Sequence, residues 1–421
     1  MKDQKVQAGT SPVSDTLSDK SEKPEVEISN RGRSIPASPI RKLVPLAETA
    51  KKRGIHIYHL NIGQPDIETP DEFWQAIRTY PEKVLAYGRS QGLANYLDTL
   101  SGYYKKRDLN IDPDDIIVTT GGSEAIIFAM TVITEPGDEI IVFEPFYTNY
   151  NGFAVQAGIK LVPIATHAEE GFHLPSETLI EKALTIRTKG ILYCNPNNPT
   201  GTVYSESELN MLVGLARKHN LFLLADEVYR EFIYESRHIS LMSFDDIHDR
   251  AIMLDSISKR FSACGARVGN LVTKNRDVYR AALHLGQARL CSPTLEQVGA
   301  GAAYNLGQEY FGKMIDEYRR RRDVTYEALM KIEGTICINP GGAFYIMAKL
   351  PVDDAEKFTA FMLTEFEHDR KTVMMAPGPG FYATPGMGQS ECRIAYVLKI
   401  EDLKDAMKIL KKGIETYNSK K

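Results

Sequence analysis

Five cysteines in 421 residues are too few and too scattered to staple a fold. Cys194, Cys264, Cys291, Cys337 and Cys392 make no CxxC pair and no His/Cys cluster. That argues against a disulfide framework and a metal site, and suits reduced thiols in the cytosol. No apolar run approaches the length of a membrane span. The N-terminus lacks the apolar stretch of a signal peptide, and its charges are mixed rather than Arg-rich as in a transit peptide. A formal net charge of −4 leaves no basic excess to hold nucleic acid.

What the chain does have is enough apolar material, 43% of residues, for one large domain and a smaller one. Residues 1 to about 28 are rich in Lys, Glu, Asp, Ser and Thr and read as a disordered tail, too short for a DNA-binding domain. Ile40, Leu43, Val44 and Leu46 then fit an amphipathic helix ending near Gly54, and residues 55–60 a short strand. Strand-like runs recur at residues 116–120, 139–143, 160–164, 190–193, 222–225, 251–254 and 268–272. Helical patterns separate most of them, as at residues 206–219. This alternation predicts an α/β fold, a mostly parallel sheet sandwiched by helices. From about Tyr310 the pattern becomes helix, strands and a closing helix at residues 403–417, a smaller α+β layer. The expected division is a tail at 1–28, a small domain from 29–69 and 310–421, and a large domain at 70–309.

Ligands of open parallel sheets bind at the carboxyl ends of the strands. Lys259, in Ser256-Ile257-Ser258-Lys259, Asp226, and the turn Gly121-Gly122-Ser123 all follow apolar runs directly, so they can converge on one crevice. A lysine there can form a Schiff base with a carbonyl compound, pyridoxal phosphate being the commonest such cofactor. Gly121-Gly122-Ser123-Glu124 opens a helix whose N–H groups can face an anion, or is a plain capped turn. Ser256, Ser258 and Arg267 can complete a phosphate site. Asp226 suits a protonated ring nitrogen, or caps the next helix. Tyr229 reaches the same face or packs in the core. Asn198, in the loop Asn195-Pro196-Asn197-Asn198-Pro199, is a donor over the sheet edge or a turn asparagine. Tyr147 can stack on a flat ring or lie at the surface.

Together with Gly63-Gln64-Pro65-Asp66, Tyr87-Gly88, Asp226-Glu227-Val228-Tyr229 and Arg393, these pieces stand in the order and spacing of a known family. Over roughly residues 30–420 the chain resembles the class I aminotransferases, fold-type I pyridoxal phosphate enzymes with aspartate aminotransferase as prototype. The resemblance implies a seven-stranded sheet and a homodimer with shared active sites. Lys259 resembles the Schiff-base lysine that also moves the proton. Asp226 would hold the ring nitrogen, Tyr229 and Asn198 the ring oxygen, and Tyr147 would stack on the ring. Gly122, Ser123 and Glu124 would offer the helix N-terminus to phosphate, with Ser256 and Arg267 alongside. Tyr87 resembles a tyrosine that reaches the phosphate from the neighbouring subunit. Gly63, Asn198 and Arg393 would meet the substrate, Arg393 gripping its α-carboxylate. Ala266 departs from the aromatic residue that often precedes the phosphate arginine.

The implied activity is a cytoplasmic, biosynthetic ping-pong transamination between an L-amino acid and a 2-oxo acid, aspartate or a relative with 2-oxoglutarate. Arg289 and Arg89 are candidates for a distal substrate carboxylate. A carbon–sulfur β-lyase, a cyclopropane-forming synthase or other pyridoxal phosphate chemistry would use the same cradle. A non-enzymatic regulator sits badly with an intact Lys259, Asp226 and Arg393. A nicotinamide-dependent oxidoreductase would need a GxGxxG after the first strand, and none is there.

Overall fold

Alternation within the apolar runs decides where the core lies. Ile117, Ile140, Val142, Leu192, Leu224, Ile252, Leu254 and Leu271 fill one buried cluster. Their neighbours Val118, Ile141, Ile191, Leu223, Ala225, Met253 and Val272 fill another. Successive strand residues point to opposite faces, so both faces of this sheet are covered. That is why the strands read as continuous hydrophobic runs.

The computed structural model describes residues 26–39 and 41–420. Ile40 and nearly all of the expected tail lie outside them. Twelve strands follow in chain order: β1 His56–His59, β2 Ile116–Thr119, β3 Glu139–Glu144, β4 Lys160–Ala165, β5 Thr188–Cys194, β6 Phe222–Asp226, β7 Ala251–Ser256, β8 Gly269–Val272, β9 Tyr345–Lys349, β10 Lys371–Met374, β11 Ala376–Pro377 and β12 Glu391–Ala395. Seven of them form the main sheet in the order β2-β8-β7-β6-β5-β3-β4. All its neighbours are parallel except β8, which runs antiparallel to both β2 and β7. The expected α/β class with a mostly parallel sheet is what is found.

Two small sheets hold the chain ends together. β1 pairs parallel with β10, and β9 lies antiparallel to β12, which also pairs with β11. The closing helix is Ile400–Ser419, and it packs on the long helix Gln308–Leu329. The first helical pattern is shorter than expected. Residues Arg41–Leu43 form a 3-10 turn, and the α-helix runs only Val44–Lys52. Pro45 explains the boundary, since proline lacks an N–H and is accommodated in the first helical turn.

Register aligns the site. Gly269 of β8 stands opposite Thr119 on one side and Ser256 on the other. Three connections thus open side by side: Gly121 after β2, Arg267 before β8, and Lys259 after β7. Lys259 rides on a single helical turn, Ile257–Arg260. A turn this short has no stability of its own. It is held by Arg260 and Asp255, an ion pair with both side chains fully buried. Asp255 also accepts from the Ser256 N–H at 2.7 Å and the Tyr104 hydroxyl at 2.9 Å. The Arg260 guanidinium donates to the Tyr304 hydroxyl at 3.1 Å and lies 4.8 Å from the centre of the Tyr103 ring.

Removing one partner strands a buried charge. Asp255→Ala is expected to lower stability by about 3–5 kcal/mol in urea unfolding. Asp255→Leu with Arg260→Met, which removes both charges, should cost less than the single change. A single variant within about 1 kcal/mol of wild type would show that the pair does not hold the turn.

Candidate active site

A cavity of about 690 Å³ opens where the carboxyl ends of β5, β6 and β7 meet the start of β8. Lys259, Asp226, Gly122, Ser123, Ser256 and Arg267 line its base, and Tyr147, Asn198, Tyr229, Gly63 and Arg393 its walls. The Lys259 Nζ donates to the Gly63 carbonyl at 2.7 Å and lies 3.9 Å from the Cys264 sulfur. Burial pushes this amine below its ordinary value. Arg393 and Arg267 add to the shift, while Cys264 and Asp226 oppose it.

Asp226 is a buried carboxylate, and no ion pair with it forms among the described residues. The Tyr150 hydroxyl donates to its Oδ2 at 2.8 Å, and the Val228 N–H to its Oδ1 at 3.4 Å. Burial still wins and pushes its pKa up to about 6. Such a group favours a cationic partner from outside the chain.

The anion cradle is built by close approach. Gly121 has φ +75°, and a Cβ there would strike the Arg267 guanidinium. Arg267 itself adopts φ 53°, rare for a residue with a side chain, and its Nη1 donates to the Cys264 carbonyl at 3.0 Å. The Ser256 and Ser258 hydroxyls lie 2.7 Å apart, and Ser256 also donates to the Val268 carbonyl at 2.9 Å.

Across the cavity, Arg393 comes from β12 and is 2% exposed. Its Nη1 donates to the Asn198 Oδ1 at 3.0 Å and its Nη2 to the Asn61 carbonyl at 2.6 Å. Its Nε is buried with no partner. Asn198 donates in turn to the Tyr229 hydroxyl at 3.3 Å, so one asparagine joins the arginine to the phenol. Burial holds that phenol well above its ordinary pKa, so it stays protonated. Its hydroxyl lies 2.8 Å from that of Tyr345, whose ring packs 4.5 Å from the Arg393 guanidinium. Gly63 is required by the same tyrosine, because a Cβ on it would collide with the Tyr345 hydroxyl.

Two expected residues do not line the cavity. Glu124 turns its carboxylate back to the Thr120 N–H at 2.8 Å and toward Arg289 at 3.3 Å. Its acid serves the start of the helix Gly121–Ile133, which turns Gly122, Ser123 and Ile126 to the cavity instead. Tyr87 is 81% exposed on a stretch with Val84 and Leu85. Arg289, spent on Glu124 and the Val118 carbonyl, does not face this cavity either, nor does Arg89. Sequence reading missed Tyr345, Tyr150, Asn61 and Arg41. Each stands in a segment whose local pattern is ordinary, and only the fold brings Tyr345, Asn61 and Arg41 to the cavity and Tyr150 to Asp226.

A family model for aminotransferases of class I and II matches residues 55–410. The chain belongs to this family. It is 33% identical over 393 residues to a putative aminotransferase of Bacillus subtilis, an alignment spanning 91% of this chain and 97% of that one. It is 30% identical to an aspartate aminotransferase of Thermotoga maritima over 90% of this chain and 97% of that one. The structure also superposes on an alanine aminotransferase of Pyrococcus furiosus with a TM-score of 0.84 and 30% identity, covering 93% of this chain and all of that one. The chain is therefore a pyridoxal phosphate-dependent aminotransferase of fold-type I. No helix among the described residues is long and apolar enough to cross a membrane.

The family implies pyridoxal phosphate, and the donor set fits it. A buried acid lacks a cation, a glycine-lined helix start meets an arginine, and a lysine with a lowered pKa lies between them. The Asp226 pKa gives the aminotransferase a measurable signature. Between its ordinary 3.8 and about 6 the folded protein holds a proton that the unfolded chain has released. Stability from this group therefore falls as pH rises, and the full penalty stands above about pH 6. Cofactor-free Asp226→Asn should be more stable than cofactor-free wild type at pH 8, by up to roughly 3 kcal/mol. The difference should vanish near pH 4; thermal melts at the two pH values that show no such change would overturn the assignment.

Proposed function

We propose that the enzyme moves an amino group from an L-amino acid to a 2-oxo acid by a ping-pong mechanism, aspartate or a relative serving as donor and 2-oxoglutarate as acceptor. The observation that carries this reading is the chain of contacts Lys259–Gly63, Arg393–Asn198 and Asn198–Tyr229 around one cavity. It offers one lysine for the chemistry and one buried arginine for an α-carboxylate, so donor and acceptor must use the same place in turn. Bound there, pyridoxal phosphate would supply a carbonyl carbon for covalent attachment and a ring that takes up electrons.

The chain's own residues do the rest. Asp226 would hold the ring nitrogen, Tyr147 would stack on the ring, and Tyr229 and Asn198 would hydrogen-bond its oxygen. Gly122, Ser123, Ser256 and Arg267 would hold the phosphate. Lys259 would anchor the group, and its freed amine would take the proton from the substrate Cα and hold it at Nζ. Its lowered pKa helps, because a neutral amine is needed to accept that proton. Arg393 fixes the α-carboxylate and so the direction of the Cα–H bond. Reading Arg393 as the carboxylate clamp is favoured by its unpartnered Nε, which still has a hydrogen bond to give.

The division into a large domain at 70–309 and a small one from 29–69 and 310–421 belongs to the same proposal, supported by the pairing of β1 with β10. So does a cytoplasmic homodimer in which Tyr87 serves the neighbouring site. The exposed Val84, Leu85 and Tyr87 are the stretch that supports it. Lys259→Ala should retain the fold by circular dichroism and lose turnover by at least a thousand-fold. Near-normal activity in that variant would sink the mechanism. A screen of amino donors against 2-oxoglutarate, pyruvate and oxaloacetate separates transamination from β-elimination, which would release ammonia instead of aminating the acceptor.

A further inference from the structure

The charges that face the cavity do not balance. Among the described residues its lining carries four cations, Arg41, Lys259, Arg267 and Arg393, and a single carboxylate, Asp226. On the reading above, Lys259 is committed to covalent work, Arg267 to a phosphate and Arg393 to an α-carboxylate. Asp226 is matched by a ring nitrogen. Arg41 is left over.

Its setting is specific. Arg41 opens the 3-10 turn Arg41–Leu43, and Ser38 and Val44 on either side also line the cavity. Arg41 and Val44 are exposed, so this part of the wall is the rim, whereas Arg393 is buried deeper in the wall. The adjacent Lys42 is tied away from the cavity by an ion pair with Glu356. Among the described residues the Arg41 guanidinium has no hydrogen bond or ion pair, and its backbone N–H alone is engaged, by the Ser38 carbonyl at 3.1 Å. A free guanidinium at the edge of a partly enclosed, positively charged cavity is a ready clamp for an anion. Arg289 and Arg89, the other arginines considered for this task, do not line the cavity.

We propose that Arg41 is a specificity residue that binds the distal carboxylate of a dicarboxylic substrate while Arg393 holds the α-carboxylate. The proposal rests on the aminotransferase site described above. It makes the preferred substrates acidic amino acids and their 2-oxo acids, and it places recognition of the side chain on the segment that precedes the first α-helix of the rim. A monocarboxylic substrate would leave Arg41 in water and gain nothing from it.

The test is steady-state kinetics of the holoenzyme with aspartate, glutamate and alanine as donors. The readout is the ratio of kcat/KM for the acidic donors to that for alanine. In Arg41→Gln this ratio should fall about 10- to 100-fold, the loss of one charge-assisted pair. The fall should appear mainly in KM, because the contact is made equally before and during the chemical step. Arg41→Lys should restore part of the ratio, which a merely structural role would not require. A wild-type enzyme that transaminates acidic donors, with a ratio unchanged in Arg41→Gln, overturns the role of Arg41 and leaves the aminotransferase reading standing. A wild-type preference for alanine overturns it as well. No transamination of any donor by the wild type would defeat the underlying reading, and the assignment of Arg41 with it.

Discussion

Everything in the site depends on a four-residue helix being held still. Ile257–Arg260 is too short to be stable alone, yet it presents Lys259. The Arg260–Asp255 pair resolves this by closing the strand-to-helix junction from beneath. Burying two charges is expensive, and the cost is offset only by good geometry and further hydrogen bonds. Those come from Ser256, Tyr104 and Tyr304, which belong to three different parts of the chain. The lysine is therefore fixed by the interior around the main sheet before any ligand arrives.

Opposite this rigid base, the wall around Arg393 is assembled from segments near the two ends of the chain. Asn61 follows β1, Tyr345 belongs to β9 and Arg393 to β12. Asn198, on the loop after β5, is the link between the two halves, since it touches both Arg393 and Tyr229. Positioning energy thus flows through backbone carbonyls and amide groups rather than through exposed ion pairs, which contribute little. Cavity shape follows from the same contacts, because Gly63 yields its side-chain space to Tyr345.

Much of this was legible in the sequence, and for a definite reason. Strands buried on both faces leave unbroken apolar runs, and polar residues directly after such runs fall at one end of the sheet. That places Lys259, Asp226 and Gly122 without further information, whereas Arg267 precedes β8 and reaches the same end only because that strand runs antiparallel. Tyr345 and Tyr150 were not legible. Tyr345 lies within an apolar run and looks like core, Tyr150 stands between two asparagines, and nothing local reveals that their hydroxyls meet Tyr229 and Asp226. The turn of the Glu124 carboxylate back to the Thr120 N–H was not legible either, since spacing cannot say whether a first-turn acid caps its own helix. The 3-10 turn at Arg41 was hidden by an amphipathic pattern that Pro45 interrupts.

The surplus of positive charge in the cavity has a practical side. Small multivalent anions in the working solution should be drawn to the cavity base around Gly122, Ser123 and Arg267, because helix N–H groups and guanidinium forks recognise an oxyanion without regard to what carries it. Phosphate, sulfate or citrate buffers would then act as competitors rather than spectators. Apparent affinities and reconstitution rates would depend on the choice of buffer ion, and a zwitterionic buffer with chloride as the counterion is the fairer medium for comparing variants.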